Sequence, residues 1–189
     1  IHQTANKTLD NINYDFLVCE TPNDLRDLIV NQNQANNKAR MVAGYCWEWA
    51  GKRDKTIEDV VIAKYNFSAK WNLNDDGGLW IIKPDSVKEV GCIHTCQGLE
   101  LDYIGVLIGP DLIVRNGEVM TDGMKRARSD ASIRGFKSLL KSNPEEAKAK
   151  VDMIIKNTYR TLMTRGQKGC YVFSTDSETN EYLKYSMGC

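Results

Sequence analysis

The stretch GCIHTCQGLELDYIGVLIG, residues 91–109, constrains this chain more than any other part of it. Its pattern predicts a strand, a tight polar turn, a short helical or irregular link, and then a second, strongly apolar strand. The turn, His94-Thr95-Cys96-Gln97-Gly98-Leu99-Glu100, gathers an imidazole, a hydroxyl, an amide, a glycine and a carboxylate within seven residues. In α/β proteins, loops at the carboxyl ends of strands are where ligands usually sit. A polar cluster beside apolar strands needs such a reason, because each buried group left unpaired costs on the order of 1–3 kcal/mol.

The surrounding chain supplies the rest of an α/β domain. Residues 14–19 form a short apolar run. Thr21-Pro22-Asn23-Asp24 has the chemistry of a helix start, and Leu25, Leu28 and Ile29 continue at helical spacing to about residue 35. A strand is predicted over 40–45, and the β-α-β order makes the sheet parallel. Residues 47–84 carry a weaker pattern and all four tryptophans, so they are expected to form an irregular insertion, with Gly77-Gly78 as a turn. Tryptophans there serve either to hold the segment on the core or to stack on bases. Asn116-Gly117 predicts a β-hairpin over 112–120, and a short helix is expected near 133–140. Asn143-Pro144-Glu145-Glu146 opens a long helix with Ala147, Val151, Ile154, Ile155, Thr158 and Leu162 on one face, ended by Gly166. A last strand over 170–174 and a closing helix over 178–185 complete a single domain of about five central strands, running from 14 to 189 after a loose, polar lead-in over 1–13.

Composition is that of an ordinary globular protein. Lys and Arg number 25 against 25 Asp and Glu, but the balance is uneven along the chain. Seven basic residues face three acidic ones over 115–141, and four face none over 156–168. Either these are solvated faces or they meet phosphate. Cys19, Cys46 and Cys170 lie in apolar runs, as small reduced core residues do, which fits a cytoplasmic protein. Cys92-x-His94-x-Cys96 lacks the second ligand pair of a zinc site, so no metal site is assigned. No apolar run approaches the roughly 20 residues of a membrane span, and no membrane partner is expected.

The residues 92–100 resemble motif V of superfamily 1 helicases, Thr-x-His-x-x-Gln/Lys-Gly-x-Glu. Tyr159-Arg160-Thr161-Leu162-Met163-Thr164-Arg165-Gly166 resembles motif VI, with its Thr-Arg at the end of a helix. Together with Ala43-Gly44-Tyr45-Cys46-Trp47-Glu48-Trp49 and Gly109-Pro110-Asp111-Leu112, the pattern is similar to the Schlafen group 3 type of DNA/RNA helicase domain over residues 14–173. The resemblance implies a RecA-like fold, a mostly parallel sheet flanked by helices, forming the second lobe of a motor. It implies that Arg165 is the arginine finger, reaching across a cleft to the γ-phosphate of ATP. Gln97, Gly98 and Glu100 would line the nucleotide, with Glu100 accepting from ribose hydroxyls, and Arg160 would pair within the domain or assist the phosphates. His94 and Thr95 would lie near the nucleic-acid backbone; the other reading of His94 is a satisfied core histidine. The family threonine falls at Cys92, so that contact is not carried over. A nucleotide contact by Tyr159 is left open.

Nowhere does the sequence contain Gly-x-x-x-x-Gly-Lys-Ser/Thr, the loop that cradles phosphates. ATP and Mg2+ are therefore expected to be held jointly with an N-terminal RecA-like lobe, and the chain alone is expected not to hydrolyse ATP. Single-stranded DNA or RNA would be the partner. The alternative is a nucleic-acid or protein binding module that keeps a motor-lobe fold without the motor. A nuclease built on Asp75, Asp76 and Asp102 is disfavoured because those carboxylates share no metal-binding spacing.

Overall fold

Alternate residues of the central strands fall into two separate cores, and that division sets the architecture. The computed structural model describes residues 14–51, 54–72, 80–96, 98 and 100–186. Strands β1 (Asp15–Val18), β2 (Ala39–Ala43), β5 (Val90–Gly91), β6 (Leu101–Ile108) and β9 (Gly166–Ser174) form one sheet in the order β1-β9-β6-β2-β5, every neighbouring pair parallel. On one face Met41, Leu107, Tyr171 and Phe173 pack with Leu25 and Ile29 of helix α1 (Pro22–Asn36). On the other, Val42, Ile104, Val106, Ile108 and Val172 pack with Val151, Ile155 and Leu162 of helix α3 (Pro144–Met163). Strands covered on both sides read as continuous apolar runs, which is why β6 looks as it does in the sequence. Each Leu, Ile or Val so buried stabilises the fold by about 1.5–3 kcal/mol.

The helix ends follow local chemistry. Thr21 forms a full capping box with Asp24, a device worth about 1 kcal/mol. Asn143 caps α3, accepting from the Glu146 N–H, with Pro144 in the first turn. The Asn116-Gly117 turn has positive φ at both residues, 51° and 78°, and joins β7 (Leu112–Arg115) to β8 (Glu118–Thr121). Helix α2 (Phe136–Ser142) stands just before α3, and α4 (Ser177–Tyr185) closes the chain.

Three expectations need correction. Gly166 does not end α3. The helix stops at Met163, and Gly166 already lies in β9, where a Cβ would sit 2.1 Å from the Gly169 carbonyl oxygen. On the buried face of α3, Tyr159 joins the core while Ile154 is only half-buried. The insertion is more ordered than its pattern suggests, because β3 (Val60–Ile62) and β4 (Phe67–Ala69) pair antiparallel within it. Trp71 and Trp80 are fully buried there, Trp71 stacked on Tyr45 at 5.5 Å and Trp80 donating to Glu89, so these two tryptophans hold the segment to the core. The lead-in over 1–13 and the turn at Gly77-Gly78 lie outside the described residues.

Two stability measurements test this packing. Gly105 is where α1 presses on β6, and a Cβ there would meet Ile29 at 2.7 Å. Gly105→Val is expected to cost about 1–3 kcal/mol in a urea titration. Asp176 caps α4 and pairs with Arg115 at 2.7 Å, and that hydrogen-bonded guanidinium is the main reason its carboxyl sits low, at about 2. A depressed folded-state value adds stability that is complete above about pH 4 and drains away as pH falls through about 2. Arg115→Met should flatten the pH dependence of the melting temperature in that window.

Candidate functional site

The loop that resembles motif V begins at the carboxyl end of β5 and finishes at the amino end of β6, so it spans the sheet from edge to edge. At its start, the Cys92 N–H donates to the Thr95 hydroxyl (3.3 Å), which in turn donates to the Asn72 side-chain oxygen (2.7 Å). Thr95 is thus bound into the turn. His94 is exposed, which rules out the core-histidine reading, and Cys92 and Cys96 are buried. Burial pushes the Cys96 thiol up to about 12, against the pull of the nearby Arg165 guanidinium. Gly98 has φ 78°, with nothing within 4 Å of where a Cβ would stand. Glu100 is exposed, and Gln97 lies outside the described residues.

Arg165 occupies the two-residue turn between α3 and β9. Its carbonyl accepts from the Leu101 N–H (3.3 Å), and Leu101 stands opposite Gly166 in the sheet. The end of the first motif and the arginine of the second therefore meet at the amino edge of β6 and β9, not at a carboxyl edge. The Arg165 side chain is half-buried, and its Nε is buried with no hydrogen-bond partner among the described residues. Arg160 is exposed, and its carbonyl accepts from the Thr164 N–H (3.2 Å) and hydroxyl (2.9 Å). Asp102 is committed elsewhere, accepting from Lys168 and Asn36 at 2.7 Å each, while Asp75 and Asp76 lie outside the described residues. No group of three or more His, Cys, Asp or Glu able to hold a metal occurs among the described residues. The Arg165 guanidinium nitrogen without a partner is the one feature at this junction, among the described residues, that an anionic ligand would satisfy.

Sequence reasoning missed a second cluster, at the opposite edge. The two segments 43–49 and 109–112 converge there on a buried ion network. Arg126 pairs with Asp111 at 3.1 Å and Asp130 at 2.6 Å, with all three side chains at most 3% exposed. Burial pulls the Arg126 guanidinium down, but Asp130 and Asp111 outweigh it and leave it above its ordinary value. The Tyr159 hydroxyl donates to Asp111 (2.6 Å) and accepts from the Gly109 N–H (2.9 Å). Tyr159 is consequently closed to any nucleotide. The i, i+4 spacing of Arg126 and Asp130 was the available signal, masked by the many cations around it.

The fold is a single α/β domain, a five-stranded parallel sheet with helices packed on it. Residues 1–176 match the family described as Schlafen group 3, DNA/RNA helicase domain, and the chain belongs to it. The uncharacterised protein YPL245W of Saccharomyces cerevisiae is 27% identical over 175 residues, 90% of this chain and 37% of that protein. The chain thus spans little more than a third of that relative's length. No solved structure matches it. No helix among the described residues is long and apolar enough to cross a membrane.

The buried network makes a sharp prediction. Arg126→Ala leaves two buried carboxylates uncompensated and is expected to cost about 3–5 kcal/mol in a urea titration. Arg134→Ala, at an exposed position, is expected to change stability by less than about 0.5 kcal/mol.

Proposed function

We propose that the chain is the second motor lobe of an ATP-dependent DNA or RNA helicase or translocase, acting on a nucleotide held chiefly by another lobe. The observation that carries this reading is the junction of Arg165 with Leu101, which sets the candidate finger beside the motif V loop with a guanidinium nitrogen unspent. Arg165 would stabilise charge on the transferring phosphoryl oxygens, as a planar, permanently protonated fork can. In this reading Gln97, Gly98 and Glu100 would line the nucleotide, with Glu100 accepting from a ribose hydroxyl, and Arg160 would pair within the domain or assist the phosphates. Magnesium, where bound, neutralises phosphate charge, and its ligands belong to the other lobe. His94 leaves β5 at the carboxyl edge, where a side-chain donor positions a nucleic-acid phosphate without reading sequence. Thr95 serves that contact by fixing the turn rather than by donating to the ligand.

The test is nucleic-acid-stimulated ATP hydrolysis by the protein that carries this chain. Arg165→Ala should lower kcat by about 10^3-fold or more while ATP binding, read by fluorescent-nucleotide titration, is largely kept. Arg165→Lys should rescue little of it, since an ammonium cannot reproduce the fork. Unchanged turnover would make the motifs inherited scaffold and the chain a binding module.

A further inference from the structure

The basic run over 115–141 does not behave as one patch. Arg115 is spent on Asp176 and Glu178, and Arg126 is buried between two carboxylates. Three of the remaining cations, Arg128, Arg134 and Lys137, are exposed and line a single cavity of about 500 Å3. The charged residues of its lining are these three, Arg126, and Asp130. The Asp130 carboxylate is already saturated, accepting from Arg126, from the Ser132 N–H and from the Ser132 hydroxyl. Arg128 has the Glu48 carboxylate near it, but that group accepts from the Arg128 N–H and the Ser129 hydroxyl. Arg134 and Lys137 have no acidic partner among the described residues.

The cavity is built, not a chance gathering of mobile side chains. Its wall is pinned to the sheet by the Ala127 N–H bond to the Tyr45 carbonyl (2.8 Å), by the Glu48 contacts and by the buried Arg126 pairs. These anchors follow the ends of β2 and β6, so the cavity rises from the carboxyl edge of the sheet, where parallel sheets hold their ligands. His94 leaves the same edge from β5, the strand beside β2. Neighbouring strands lie about 4.8 Å apart, so the β5 and β6 ends are roughly 10 Å apart, within two nucleotides of a strand.

We propose that this cavity is a backbone-phosphate site for single-stranded nucleic acid, with Arg134 and Lys137 as its principal contacts and Arg128 beside them. The proposal rests on the nucleic-acid part of the reading above and not on the finger. Contacts of this kind give affinity without sequence preference, and they release counterions.

The test is fluorescence-anisotropy titration of the chain with a labelled single-stranded oligonucleotide of mixed sequence, repeated across salt concentrations. Arg134→Ala/Lys137→Ala should weaken binding for every sequence tried and make the plot of log K against log salt shallower by about one per residue removed. Arg134→Lys alone should keep most of the slope, and Lys88→Ala, at an exposed position outside the cavity, should leave it unchanged. Binding by the wild type with an unaltered slope in the double variant would overturn the cavity assignment and leave the motor-lobe reading standing. No binding by the wild type would overturn both the assignment and the nucleic-acid part of that reading, while the ATP hydrolysis test of Arg165 would stand apart.

Discussion

The pairing of Arg126 with Asp111 and Asp130 is the interaction on which the carboxyl edge of the sheet depends. Three ionised groups taken out of water are expensive, each costing several kcal/mol after relaxation, and they persist only because their hydrogen-bonding capacity is met. Arg126 uses Nε, Nη1 and Nη2, and Asp111 receives Tyr159 on its other oxygen. What the network contributes is position. Asp111 follows β6, Tyr159 belongs to α3, and Arg126 and Asp130 belong to the segment that forms the basic cavity. Three pieces of chain with little local preference for one another are fixed at one point.

Arg40 shows the other way of burying a cation. It is fully buried at the start of β2 and meets no carboxylate at hydrogen-bond distance among the described residues. Instead its guanidinium donates to the side chains of Ser86, Asn33 and Asn37 and to the carbonyls of Ala39, Ile81 and Lys83. Burial pulls it down to about 10, still protonated at neutral pH. A ring of dipoles can satisfy a guanidinium because its five N–H groups point outward in one plane. The effect is to clamp the segment around Trp80 against β2, which in turn sets β5 alongside β2 and starts the motif V loop at Cys92.

How much of this could be read beforehand follows the range of each interaction. Thr21-Pro22, Asn116-Gly117 and Asn143-Pro144 announce their structures because the atoms involved lie within four residues. The apolar runs give the strands, and the family motifs give Arg165 and the 92–100 loop. Periodicity says which residues face a core, but not which strand lies next to which, so the place of β9 between β1 and β6 is invisible locally. The same blindness left a nucleotide contact by Tyr159 open, and made Arg126 look like one more surface cation and Gly166 like a helix cap. Its smallness answers a close backbone approach to Gly169 instead. The meeting of the motifs at an amino edge also required the strand order, since only the pairing of β6 with β9 brings Leu101 to Arg165.

Helix α3 is tied to both edges of the sheet. Tyr159 leans back towards the helix start and grips Gly109 and Asp111, while Arg165, six residues or about 9 Å further along, is held through its carbonyl by Leu101. Strand β6, eight residues long, spans about 25 Å between these two attachments. Sliding one edge relative to the other would strip Asp111 of the Tyr159 hydroxyl and open the backbone bond at Arg165. Both losses fall in buried surroundings, where an unpaired group costs about 1–3 kcal/mol. The lobe therefore holds its arginine and its basic cavity in a fixed relation. Any movement of the Arg165 turn must take the cavity with it as one body.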